Sequence, residues 1–187
     1  MVNLDPHQEG SGPLPAEPSD DDLVRRAQKD PKAFAPIYQR YAKKVYRYAF
    51  GRVATVADAE EITSQAFFDA LASLPRYQHR GRFAAWLFAI VRRRCADYFR
   101  RHSPIDRIED PPPFADVDDP DADDSKRLAE ILSRLRPPER ELLSLRYGGE
   151  LSYREIGHLL GKTEPAIKMA MTRLVRKMKI LWESRDV

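Results

Sequence analysis

Apolar side chains recur at intervals of three and four residues along most of this chain, and no stretch alternates with the period of two that a half-buried strand needs. The pattern predicts an all-α protein. Ser19, followed by Asp20, Asp21 and Asp22, predicts the cap of a short helix to about Gln28, its acids placed where the helix dipole favours them. Asp30 and Pro31 open a longer helix to about Val53, with Phe34, Ile37, Tyr38, Tyr41, Val45, Tyr48 and Ala49 on one face. Thr55 and Asp58 start a third, whose core line is Ile62, Ala66, Phe67, Ala70, Leu71 and Leu74 before Pro75 ends it. A basic, aromatic loop follows, PRYQHRGR. The fourth helix runs from about Phe83 to Arg101, with Phe83, Trp86, Leu87, Ile90, Val91 and Tyr98 on its apolar side.

The helical period then lapses. Residues 103–124, SPIDRIEDPPPFADVDDPDADD, combine prolines with like charges that oppose both helix and core, and read as a flexible acidic linker. Residues 1–18, rich in proline and glycine, read as a disordered extension. Beyond the linker, Leu128, Ile131, Leu132 and Leu135 mark a further helix, and Leu142, Leu143 and Leu145 another that Gly148 and Gly149 break. Residues 151–178, LSYREIGHLLGKTEPAIKMAMTRLVRKM, read as helix, turn and helix. Ser152 and Glu155 form a capping box, Gly161 stops the first helix, and Thr163 caps the second, which tolerates Pro165 in its first turn. Ile167, Met171, Leu174 and Met178 give that second helix a buried side; Lys168, Arg173, Arg176 and Lys177 give it a basic one. The expected organisation is therefore two small helical domains, 19–102 and 125–187, the second a helix-turn-helix.

Charge sharpens this picture. The formal net charge is only +3, but residues 1–22 hold six acids and no base, and residues 103–124 hold nine acids against Arg107. The remaining segments therefore carry +17, which implies a polyanionic partner, most simply nucleic acid. A single cysteine, Cys95, excludes an internal disulfide, and His7, His79, His102 and His158 show no ligand spacing, so no metal or other cofactor is expected. No apolar run approaches membrane-spanning length and the acidic N-terminus does not read as a signal peptide, so a cytoplasmic location is expected.

Four segments in order, AFAPIYQRYAKKVYRYA, DAEEITSQAFFDAL, GRFAAWLFAIVRRRCADYFRR and LRPPERELLSLRYGGELSYREIGHLLGKTEPAIKMAMTRL, resemble bacterial RNA polymerase sigma factors of the extracytoplasmic-function (ECF) class. The resemblance implies a promoter-specificity subunit with no chemistry of its own, which binds core RNA polymerase and promoter DNA and is held in check by an anti-sigma factor. On the third helix, Asp58, Glu61, Ser64 and Gln65 match the segment that grips the polymerase clamp helices. In the loop and fourth helix, Arg76, Tyr77, His79, Arg80, Arg82, Phe83 and Trp86 match the part that holds the melted minus-ten strand. Their types suit the task, since extruded bases need aromatic faces or pockets and phosphates need cations. Arg92, Arg93 and Arg100 would extend a phosphate track, although Arg93 at four-residue spacing from Asp97 could equally form a helix-stabilising pair. The helix-turn-helix matches the reader of the duplex minus-thirty-five element. Tyr153 and Arg154 would touch phosphate; Glu164, Ala166, Lys168, Met169, Arg173 and Arg176 would face the groove.

Two other readings are open from the residues. A stand-alone helix-turn-helix regulator would leave the third helix and the aromatic loop unexplained. A nuclease would need a rigid carboxylate site, whereas the carboxylates gather mainly in the acidic segments. The linker itself reads either as a nucleic-acid mimic near the polymerase channels or as a self-repelling spacer.

Overall fold

The structure is a computed structural model that describes residues 17–53, 55–78, 81–102 and 122–184. The expected extension to residue 16, most of the linker, His79 and Arg80 lie outside the described residues. Among these residues the chain is helical with no strand. In chain order the helices are α1 (Asp20–Lys29), α2 (Ala35–Val53), α3 (Val56–Ser73), α4 (Phe83–Arg101), α5 (Ala122–Ser133), α6 (Pro137–Leu143), α7 (Tyr153–Leu160) and α8 (Glu164–Glu183).

Local signals explain most of the boundaries. Ser19 and Thr55 accept from the backbone amides of Asp22 and Asp58 at 3.2 Å, capping α1 and α3. Asp30 caps a 3₁₀ turn over Pro31–Phe34 before α2 begins, so the long helix starts four residues later than its opening signal suggested. Two boundaries of the sequence reading change. The extension was expected to be loose to residue 18, but Arg40 on α2 hydrogen-bonds the Pro18 carbonyl at 2.8 Å and Asp20 at 2.7 Å. The linker was expected to reach residue 124, but α5 already begins at Ala122, with Asp124 in its first turn where the dipole favours an acid.

The first module packs α2, α3 and α4 around Ile37, Val45, Tyr48, Ile62, Ala66, Leu87 and Val91, with α1 closing one end. Tyr38 and Leu71, expected in this core, are exposed at 48% and 36%; Tyr38 instead lays its ring 4.8 Å from Phe67. In the second module α8 crosses α7 through Ile156, Ile167, Met171 and Leu174. Glu139, at the start of α6, accepts from the Arg136 amide at 2.8 Å and from Lys177 on α8 at 2.9 Å, tying α6 to α8.

The two modules are also joined. After α6 the helix widens into a π turn over Ser144–Gly148, and this turn packs against α2 while α7 packs against α4. Leu145 and Leu151 are completely or almost completely buried, at 0% and 2% exposure. Both belong to the same continuous apolar cluster as Tyr48 and Phe88 of the first module.

Candidate nucleic-acid and polymerase interfaces

The aromatic loop is built from its attachment upward. Gln28 on α1 donates its amide protons to the carbonyls of Leu74 and Tyr77, at 2.8 and 2.9 Å, and so fixes how the chain leaves α3. Pro75 lies in a 3₁₀ turn over Leu74–Arg76, and Gly81 takes φ +59°, where a side chain would be strained. Phe83 begins α4 and is 2% exposed, enclosed by Tyr41 at 5.6 Å, Tyr77 at 5.7 Å and Trp86 at 5.4 Å. Phe83, read both on the apolar side of the fourth helix and among the strand-holding residues, takes the first of these places. Its ring is spent on the core, and it acts as the floor that holds Tyr77 and Trp86, which are half-buried and 4.8 Å apart. Arg76 and Arg82 are exposed beside them. Together these side chains form one wall of a cleft of about 410 Å³, whose other wall is His158 and Leu159 of α7.

Along α4 the expected row of arginines divides. Arg93 and Arg100 are exposed, and Asp97 pairs with Arg100 rather than with Arg93. Arg92 is half-buried and bound to Glu141 of α6 at 2.6 Å, so it joins the modules instead of standing free for phosphate. Arg94, which the sequence reading passed over, clamps α4 to α3 through Asp69.

On α3, Glu61 and Ser64 are exposed, and Gln65 donates to Glu61 at 2.7 Å. Asp58 is half-buried: its carboxylate receives the Thr55 hydroxyl and, at 2.8 Å, the Tyr98 hydroxyl, so it serves the start of α3, as read, and also ties α3 to α4. Sequence reasoning missed Phe68, which is 74% exposed. It lies three and four residues beyond Gln65 and Ser64, on their face, so helical spacing from the polar residues was a signal that could have found it. Ser64, Gln65, Phe68 and Arg100 line a shallow polar depression of about 600 Å³.

The helix-turn-helix forms as its signals require. Ser152 and Glu155 make the reciprocal capping box, Gly161 takes φ +65°, and the Ala166 amide reaches the Thr163 hydroxyl at 3.4 Å. Gly157 permits the close crossing, since a Cβ there would lie 2.7 Å from the Lys162 carbonyl oxygen. Glu164, Ala166, Lys168, Met169, Arg173 and Arg176 are all exposed on α8, and Arg154 is exposed on α7. Tyr153 is half-buried beneath the Arg146 guanidinium, 5.1 Å from its ring centre. A polar and basic helix face with its N-terminal end free has the shape and charge to enter a major groove. Between α5 and α8, Leu128, Ile131, Tyr147, Val175 and Trp182 line an open apolar groove of about 470 Å³. Among the described residues no group of His, Cys, Asp or Glu is placed to hold a metal ion, and no helix is long and apolar enough to cross a membrane.

Comparison with known proteins accounts for this arrangement. The family model Sigma-70 region 2 matches residues 37–105, and Sigma-70, region 4 matches residues 125–178. The chain is 35% identical over 169 residues to the ECF RNA polymerase sigma factor BldN of Streptomyces coelicolor, a match that covers 84% of this chain and 63% of that relative. It is 29% identical over 152 residues to the ECF RNA polymerase sigma factor SigM of Bacillus subtilis, covering 78% of this chain and 93% of that one. In fold it is similar to CnrH in complex with the cytosolic domain of CnrY, with a TM-score of 0.64 at 22% identity over 88% of this chain and 97% of that one. A similar likeness holds to the sigma factor RpoE in complex with the anti-sigma factor NepR from Bartonella quintana, with a TM-score of 0.62 at 18% identity over 80% and 96% of the two chains. With a region 2 and a region 4 in that order on one all-helical chain, and ECF factors among its relatives, the protein belongs to the ECF class of RNA polymerase sigma factors.

Proposed function

We propose that the chain is a promoter-specificity subunit: it binds core RNA polymerase, recognises promoter DNA at two places and promotes strand opening. The observation that carries this reading is two surfaces of different chemistry on one chain. The Arg76, Tyr77, Arg82 and Trp86 wall suits a single strand, because it offers aromatic faces flanked by cations. The exposed face of α8, from Glu164 to Arg176, suits a duplex groove. Polar α3 with Phe68, and the apolar groove between α5 and α8, supply protein-docking surfaces for polymerase. Opening is driven by binding: captured bases stabilise the separated strands and offset their lost stacking.

An anti-sigma factor is the second partner in this reading, as membership of the ECF class implies. In this proposal region 2 occupies 19–102 and region 4 the residues from the start of α5 at Ala122 to 187, with the acidic segment between them as the tether. Transcription reconstituted from core polymerase, this chain and a genomic library should yield promoter-dependent transcripts. A library without any such transcript, or duplex binding that is strong and unchanged by polymerase, would replace the proposal with a stand-alone regulator.

A further inference from the structure

Resting on that reading, we infer that Gln28 of α1 is a positioning residue for strand capture: its carboxamide holds the backbone at Tyr77, and through it the Tyr77 and Trp86 face, in place before a strand arrives. The side-chain nitrogen donates to the Leu74 carbonyl at 2.8 Å and to the Tyr77 carbonyl at 2.9 Å, partners 46 and 49 residues along the chain. Both protons of one amide are therefore used on the segment that leaves α3. The Leu74 carbonyl also accepts from the Tyr77 amide at 3.0 Å, so the 3₁₀ turn closes on itself without Gln28. The Tyr77 carbonyl is different: it lies beyond the hydrogen bond that closes the turn, and Gln28 ties it back to α1.

The post to which this segment is tied does not depend on Gln28. Leu23, Val24 and Ala27 of α1 are buried, none more than 3% exposed, and Asp20 accepts from Arg40 and from the Tyr41 hydroxyl on α2. Gln28 itself is only half-buried, so removing its amide takes a restraint from the loop and leaves the helix docked. At the far end of the loop α4 starts without a side-chain cap, since Arg82, which precedes it, has no acceptor to offer the first amides. Tyr77 packs on Phe83 and on Trp86, so an error in its backbone passes directly to the aromatic face. A face fixed in advance spares the incoming strand that ordering cost.

The test uses the full chain and Gln28→Met, which keeps the length, neutrality and helix propensity of the side chain and removes both donors. A pool of short randomised single-stranded DNA should bind Gln28→Met about fivefold more weakly, as when Tyr77 is correctly placed about one-fifth of the time. A pool of randomised duplex, which meets α8, should bind both proteins equally. In a Trp182→Phe background, where Trp86 is the sole tryptophan, Gln28→Met should lower the tryptophan anisotropy. The same change made in Tyr77→Ala should cost nothing further in single-strand affinity, because the residue that Gln28 positions is gone; a general loss of folding would not respect that background. Equal single-strand affinity of parent and Gln28→Met, or losses that simply add in the double variant, would overturn the inference. A parent that binds no single strand, alone or with core polymerase, would overturn the proposed function along with it. A silent transcription reaction with the single-strand results intact would count against the proposed function alone.

Discussion

Arg92 on α4 donates its Nε proton to Glu141 on α6 across 2.6 Å, and the two residues belong to different modules. Both side chains keep some exposure, 35% and 19%, so the pair is neither a free surface contact nor a fully desolvated one. A double-mutant cycle with Arg92→Met and Glu141→Gln should give a coupling of about 1 kcal/mol in denaturant unfolding. Strictly additive losses would show that the seam does not use this pair.

The turn of the helix-turn-helix makes a contrast between two glycines. Gly157→Ala would press a methyl group to 2.7 Å from the Lys162 carbonyl oxygen, a backbone atom that moves only if the turn opens. A loss of about 2 to 3 kcal/mol is expected, with weakened duplex binding. At Gly161 nothing lies within 4 Å of an added Cβ, and only the φ of +65° opposes it, so Gly161→Ala should cost about 1 kcal/mol. Thermal melts of the two variants read the order directly.

Lys168 and Phe68 lie on exposed faces of different modules and should fail in different assays. Lys168→Ala should weaken upstream duplex binding and lower the salt slope by about 1, with core-polymerase affinity unchanged. Phe68→Ala should leave stability within about 0.5 kcal/mol, because the ring is already in solvent, while weakening pull-down by core polymerase. Equal loss of both activities in either variant would contradict the division of labour.

Much of this was legible because it is local. Caps at Ser19, Thr55, Ser152 and Thr163, the stop at Gly161 and the buried line of α8 through Ile167, Met171 and Leu174 each depend on local spacing, and each forms as that spacing predicts, with Met178 only partly buried at the end of the line. What was not legible depends on which surface another helix covers. Tyr77 stands in the basic loop with nothing in its spacing to show that it ends half-buried at a cleft, packed on the enclosed ring of Phe83. Asp58 and Glu61 lie one turn apart, but only Asp58 meets Tyr98, forty residues away. The seam between modules had no sequence signature beyond two adjacent glycines, which served as helix breakers equally well.

Glu139 should report on acid unfolding. Hydrogen bonds from the Arg136 guanidinium, then from Lys177, hold its carboxyl at about 2, below the ordinary 4.5. A lowered folded-state value contributes stability that is complete above 4.5 and disappears as pH falls through that interval towards 2. The parent should therefore lose stability over this range by a margin that Glu139→Gln does not show. Superimposable acid profiles would remove Glu139 from the α6–α8 joint.

Cys95 should be inert in the folded chain. It is 1% exposed, and burial pushes its thiol up to about 11. A disulfide reagent at about pH 8 should label it only after denaturant is added, because the thiolate is both scarce and enclosed. Rapid labelling of native protein would mean that the first module opens around α4.

The π turn over Ser144–Gly148 has a consequence for how the chain tolerates change in length. A helix that accommodates one extra residue there shifts the phase of everything downstream by about 100° relative to a regular α-helix. Removing a single residue from this turn would rotate Leu151 and the whole second reading head away from the first, even if every remaining side chain were kept. A one-codon deletion or insertion in the turn should be as damaging as the loss of a core residue.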